Sequence, residues 1–102
     1  MAKLISEKAA NHYYEASKEW LIGDRFELTV FHGKEKCSFF IYDRTKTIHS
    51  LKLVPQLGKD LGLLDEPDIK LSPSIDTCSI SVPNSRHDEV FKLIEIYLLG
   101  LD

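Results

Sequence analysis

The side chains able to do chemistry are four histidines, two cysteines and a set of lysines and arginines beside aromatic rings. His12, His32, His49 and His87 form no HxxxH pair. None stands near a cysteine in a zinc-ligand spacing. Cys37 and Cys78 are too far apart for a CxxC motif. Pairing across the polar loop Gly33-Lys34-Glu35-Lys36 would set His32 opposite Cys37. That adjacency can activate a thiol or hold a metal. A half-buried polar pair at a strand end is the simpler reading. Leu57-Gly58-Lys59-Asp60-Leu61-Gly62 lacks the GK[ST] ending of a phosphate-binding loop. No GxSxG or HExxH occurs, and Asp43-Arg44 and Asp65-Glu66 have no evident base or metal partner. The chain is therefore expected to be no enzyme, with no catalytic, cofactor-binding or metal residue.

A second pattern points to binding. Phe31, Phe40, Tyr42 and His49 alternate with polar residues, and Lys34, Lys36 and Arg44 sit nearby. Rings that stack on bases and cations that meet phosphates form a single-stranded nucleic-acid platform. These cations also fall in turns, where charge is ordinary.

The elements that would position these groups follow from periodicity. Ile5, Ala9, His12, Tyr13, Ala16 and Trp20 repeat at three and four, which predicts a helix over 3–22 closed by Gly23. Phe26 to His32 alternates at period two, Cys37 to Tyr42 is a second strand rich in aromatic and β-branched residues, and Thr47 to Val54 is a third strand. With the loop at 33–36 and a turn at Asp43-Arg44-Thr45-Lys46, these read as a three-strand meander. The register sets His32 opposite Cys37, Val30 opposite Phe39 and Leu28 opposite Ile41. It also sets Ile41 opposite Ile48 and Phe40 opposite His49. One face then carries Phe26, Leu28, Val30, Cys37, Phe39, Ile41 and Ile48, and is the expected core. The other carries Glu27, Thr29, Phe31, Ser38, Phe40, Tyr42, His49 and Leu51. Pro55 to Leu64 reads as a short helix with Pro55 in its first turn. Ile69-Lys70-Leu71 is a brief strand, and Ser74 to Val82 is another. Asn84 or Ser85 caps a final helix whose apolar stripe is Val90, Leu93, Ile94, Tyr97, Leu98 and Leu101.

The expected fold is α+β, in the order α-β-β-β-(α)-β-α. A single antiparallel sheet of a three-strand meander plus one or two further strands packs against N- and C-terminal helices. This order is similar to that of the small acidic chaperones of type III secretion, which place a three-strand segment between helices. No sequence motif is shared with them.

The chain has 102 residues, so residues 1–102 are read as one domain. Hydrophobic residues are 43% and charged residues 28%, ordinary globular values that exclude collagen-like and disordered classes. The net charge of −3 conceals an uneven spread. Residues 1–24 carry −1, residues 25–52 carry +3 and residues 53–102 carry −5. The N-terminus has no apolar run of signal-peptide type, and no stretch is long enough to span a bilayer. A cytoplasmic protein with two free thiols is expected.

The leading functional expectation is a small interaction module: an adaptor, inhibitor, immunity or chaperone-like protein. Its partner would be another protein, or a second copy in a homodimer. Ile96 and Leu99 lie off the main stripe of the last helix. Together with Tyr97 and Leu101 they make the candidate oligomer interface. The alternative is single-stranded nucleic-acid binding through Phe31, Phe40, Tyr42, His49, Lys34, Lys36 and Arg44. No membrane partner is expected.

Overall fold

The computed structural model describes residues 1–12 and 15–102. The chain opens with four strands: β1 (Ala2–Lys8), β2 (Ala16–Ile22), β3 (Phe26–His32) and β4 (Lys36–Asp43). Helix α1 (Ser50–Asp60) comes next, then β5 (Lys70–Pro73), β6 (Cys78–Pro83) and α2 (His87–Leu101). The strands form one open antiparallel sheet in the order β1-β2-β3-β4-β6-β5. The fold is α+β, with two α-helices among the described residues. No helix among the described residues is long and apolar enough to cross a membrane.

The helix expected over 3–22 is instead the β1–β2 hairpin. Ile5 lies in β1, Ala16 and Trp20 lie in β2, and Tyr13 lies outside the described residues. β2 pairs with β3 along its whole length, from Ala16↔His32 to Ile22↔Phe26. That places Trp20 and Ile22 beside Leu28 and Phe26 on the core side. Pairing and burial of this extent outweigh the helix propensity of Ala, Glu and Lys. Gly23 does adopt a left-handed backbone, with φ +61°, but in the turn between two strands. The N-terminal helix behind the likeness to the type III secretion chaperones is thus absent.

The third meander strand expected over 47–54 is also replaced. Its second half is the start of α1, and β4 pairs with β6 on that side. Phe40 faces Ser79 rather than His49. The winning pattern is helical: Leu53, Val54 and Leu57 are buried on one stripe, and His49 caps the helix by accepting from the Leu51 N–H at 3.1 Å. Pro55 is interior rather than in the first turn.

The β3–β4 hairpin matches expectation, with Leu28↔Ile41, Val30↔Phe39 and His32↔Cys37. Phe26, Leu28, Val30, Cys37, Phe39 and Ile41 are buried, and Ile48 packs against them. Ile80 and Val82 of β6 extend this layer, and Leu53, Val54 and Leu57 of α1 with Val90, Ile94 and Leu98 of α2 complete the same core. Each of the large side chains buried here contributes about 2–3 kcal/mol. The two helices share this one core, so the opposite face of the sheet is left without a helix.

Candidate functional site

The uncovered face can be read row by row from the strand register. One row runs Ser6–Glu19–Thr29–Phe40–Ser79–Ser72 across all six strands. The next runs Lys8–Ser17–Phe31–Ser38–Ser81–Lys70. Lys3, Leu21, Glu27 and Tyr42 form a third, shorter row. The face carries seven serine or threonine side chains, of which Ser17 and Ser79 are buried between their neighbours, with rings on its two central strands. Phe31 and Phe40 meet edge to face, with centroids 5.3 Å apart at 77°. Both are half-buried, and Tyr42 is 50% exposed.

Every sequence-predicted surface residue can be placed. Phe31, Phe40 and Tyr42 lie on the uncovered face. Lys34 and Lys36 are exposed at one end of the β3–β4 hairpin, and Arg44 is exposed just past the other end of β4. His49 leaves the sheet as the cap of α1 but still reaches the same region. It lines a cleft of about 500 Å³ together with Phe40 and Tyr42. On α2, Ile96, Leu99 and Leu101 are exposed. Tyr97 instead packs inward, and its hydroxyl donates to Asp60 at 2.6 Å. That bond raises the tyrosine to about 12. The oligomer candidates therefore divide: Tyr97 is engaged within the chain, while the other three face solvent.

The cleft lies where β4 and β6 part. Their pairing ends at Phe40↔Ser79. Beyond it the β4–α1 loop supplies Lys46, Ile48 and His49, the first turn of α1 supplies Ser50, and the β5–β6 turn supplies Asp76 and Thr77. Sequence reading missed this cleft because its three walls are far apart along the chain. Its anchor is Asp43, buried at 3% exposure. Asp43 Oδ1 accepts from the Thr45 N–H at 2.9 Å and hydroxyl at 2.6 Å, and Oδ2 accepts from the Ile48 N–H at 3.0 Å. Arg25 grips both oxygens, Nε to Oδ1 at 3.1 Å and Nη2 to Oδ2 at 2.9 Å. Its remaining Nη1 donates to the Leu101 carbonyl at 2.9 Å. The Arg25 bonds above all, and then those from Thr45 and Ile48, hold the Asp43 carboxyl well below the usual carboxylate range. Asp43 is a structural pin, not a free acid.

His32 and Cys37 do face each other. Burial pushes the Cys37 thiol up to about 11, and its sulfur contacts the Val82 carbonyl at 3.8 Å. A thiol so raised is poorly nucleophilic at neutral pH. No group of three or more His, Cys, Asp or Glu side chains converges as a metal site among the described residues. No family model, curated protein or solved structure matches the chain.

Proposed function

We propose that the protein is a small interaction module whose working surface is the uncovered face of its sheet, and that its partner is another protein. The observation that carries this reading is the Phe31–Phe40 ring pair at the centre of a helix-free, hydroxyl-rich face. Aromatic groups at the centre and polar groups around them are the usual anatomy of a protein interface. Six strands about 4.8 Å apart, four to eight residues long, make a face about 24 Å across the strands and about 13–26 Å along them. With its side chains, that approaches the ~800 Å² that one partner contributes to a standard interface. Lys3, Lys8, Lys36 and Lys70 against Glu19 and Glu27 give the face a mild positive balance in an acidic chain. This favours an acidic partner surface. Both cysteines are free, which accords with a cytoplasmic setting.

One observation favours single-stranded nucleic acid as a second reading. Lys34 and Lys36 stand at one end of β4 and Arg44 and Lys46 at the other, with Phe40 and Tyr42 between. A homodimer through exposed Ile96 and Leu99 is a third, and a single-chain mass by light scattering at high concentration would remove it.

The test is position-specific photo-crosslinking in extract of the native cells. A crosslinker at Tyr42 should capture a discrete protein that a crosslinker at Leu64, in the segment after α1, does not. Phe31→Ala with Phe40→Ala should abolish the capture. Equal capture from both positions, or none, overturns the protein reading. Binding of a labelled oligonucleotide that weakens with salt and with Phe40→Ala would put the nucleic-acid reading in its place.

A further inference from the structure

The cleft beside β4 has a composition of its own, distinct from the flat face it adjoins. Its volume of about 500 Å³ is in the range of small-ligand sites. Phe40, Ile41, Ile48 and Cys78 give it apolar walls. Such walls suit a flat ring. Its polar groups come from all the surrounding segments: Thr29 and Tyr42 from the sheet, Lys46 from the β4–α1 loop and Ser50 from the start of α1, Asp76 and Thr77 from the β5–β6 turn.

Of the two carboxylates in the cleft, Asp43 is engaged by Arg25, and Asp76 and Lys46 leave one free charge of each sign. Asp43 is neutralised by Arg25 and fully hydrogen-bonded. Asp76 takes one bond, from the Ser74 hydroxyl at 3.4 Å, which leaves acceptor capacity facing the cleft. Lys46 forms no ion pair among the described residues. It also holds a left-handed backbone, φ +59°, unusual for a side-chain-bearing residue. That conformation is fixed by the Lys46 N–H donating to the Asp43 carbonyl at 2.9 Å. The loop that presents Lys46 is therefore set before any ligand arrives, which lowers the ordering cost of binding.

We propose that this cleft binds a ligand of nucleoside-monophosphate chemistry: a flat ring against Phe40 and Ile48, an anionic phosphate on Lys46 with the Ser50 hydroxyl, and a ring amine or sugar hydroxyl donating to Asp76. The same chemistry is offered by a free mononucleotide and by the 5′-phosphorylated end of a strand. The site goes beyond the protein-binding reading: it shares Phe40 and Tyr42 with that face, while Lys46, Ser50 and Asp76 are its own.

The test is an amide NMR titration of the whole chain with AMP, with a 5′-phosphorylated dinucleotide and with adenosine. Shifts should cluster at Thr29, Tyr42, Lys46, Ser50 and Thr77. Adenosine should bind about tenfold more weakly for want of the charge-assisted contact. Lys46→Asn tolerates the left-handed backbone and should weaken AMP by about tenfold, while Lys59→Asn, exposed near the other end of α1 and outside the cleft, leaves it unchanged. Saturation by AMP assigns the site to a free mononucleotide. Saturation by the dinucleotide alone assigns it to a strand end. Absence of shifts at millimolar AMP and dinucleotide overturns the proposal, as does binding that Lys46→Asn leaves intact.

Discussion

His32 shows how much one side chain's surroundings can decide. Its Nε2 is buried and has no hydrogen-bond partner among the described residues. Its ring lies 5.1 Å from that of His87, which in turn stacks on Phe39 at 5.7 Å and approaches Phe91 at 5.9 Å. Lys18 of β2 adds positive charge, while Asp88 engages His87 Nδ1 at 2.8 Å. Burial, then His87, then Lys18 lower the His32 pKa. The unfolded chain therefore takes up this proton more readily than the folded one. The stability involved is complete above the unfolded value of about 6.5 and is lost as pH falls below it. Thermal melts should drop as pH falls below about 6.5, and His32→Phe should flatten that drop. Equal slopes for the two proteins would show that His32 is not the group responsible. Asp43, Asp60 and Glu66, all lowered, act in a separate window below about pH 4. The pairing of His32 with Cys37 was legible in the sequence from loop length alone. The approach of His87 was not, because it depends on where α2 crosses the sheet.

Among the elements, the β4–α1 loop is the one most completely fixed by a single residue. Asp43 gathers the Thr45 and Ile48 N–H groups and the Arg25 guanidinium, whose side chain is only 17% exposed. Removing the carboxylate strands a largely buried cation and frees the loop. Asp43→Ala should cost about 3 kcal/mol in urea unfolding, as for other buried pairs broken on one side. A loss below about 1 kcal/mol, the usual worth of an exposed pair, would contradict this reading. The sequence correctly showed Asp43 starting a turn. The segment after that turn was ambiguous, because Thr47 to Val54 satisfies period two and the start of a helix equally well. The first twenty residues misled in the opposite sense. Their spacing at three and four is genuine, but only β3 pairing reveals that Lys18, Trp20 and Ile22 form an alternating set. The strand β1 is then the partner of β2, with an irregularity between Leu4 and Ser6. Such a bulge, with Lys3 and Lys8, discourages further pairing at this exposed edge.

At the scale of the whole molecule, the charge asymmetry seen along the sequence becomes an asymmetry in space. The basic middle segment is β3, β4 and their turns, at the centre of the sheet, while most of the acidic half's charge lies in the segment after α1, with Asp65, Glu66 and Asp68, and in α2, with Asp88, Glu89 and Glu95. The uneven spread was legible in the sequence. Which face stayed uncovered was not, since that depends on both helices choosing one side. The turn between β2 and β3 also gathers both ends of the chain. The Gly23 N–H donates to the Met1 carbonyl at 3.3 Å, the Asp24 N–H to the Asp102 side chain at 3.2 Å, and Arg25 to the Leu101 carbonyl. Residues 1 and 102 are thus near neighbours in a fold whose rows of side chains do not depend on where the backbone is cut. A circular permutant that joins them through a short flexible linker and opens between exposed Pro67 and Asp68 should melt within about 5 °C of the original. The order in which the elements are made would be rotated, with β5, β6 and α2 emerging before β1, while the product stayed the same.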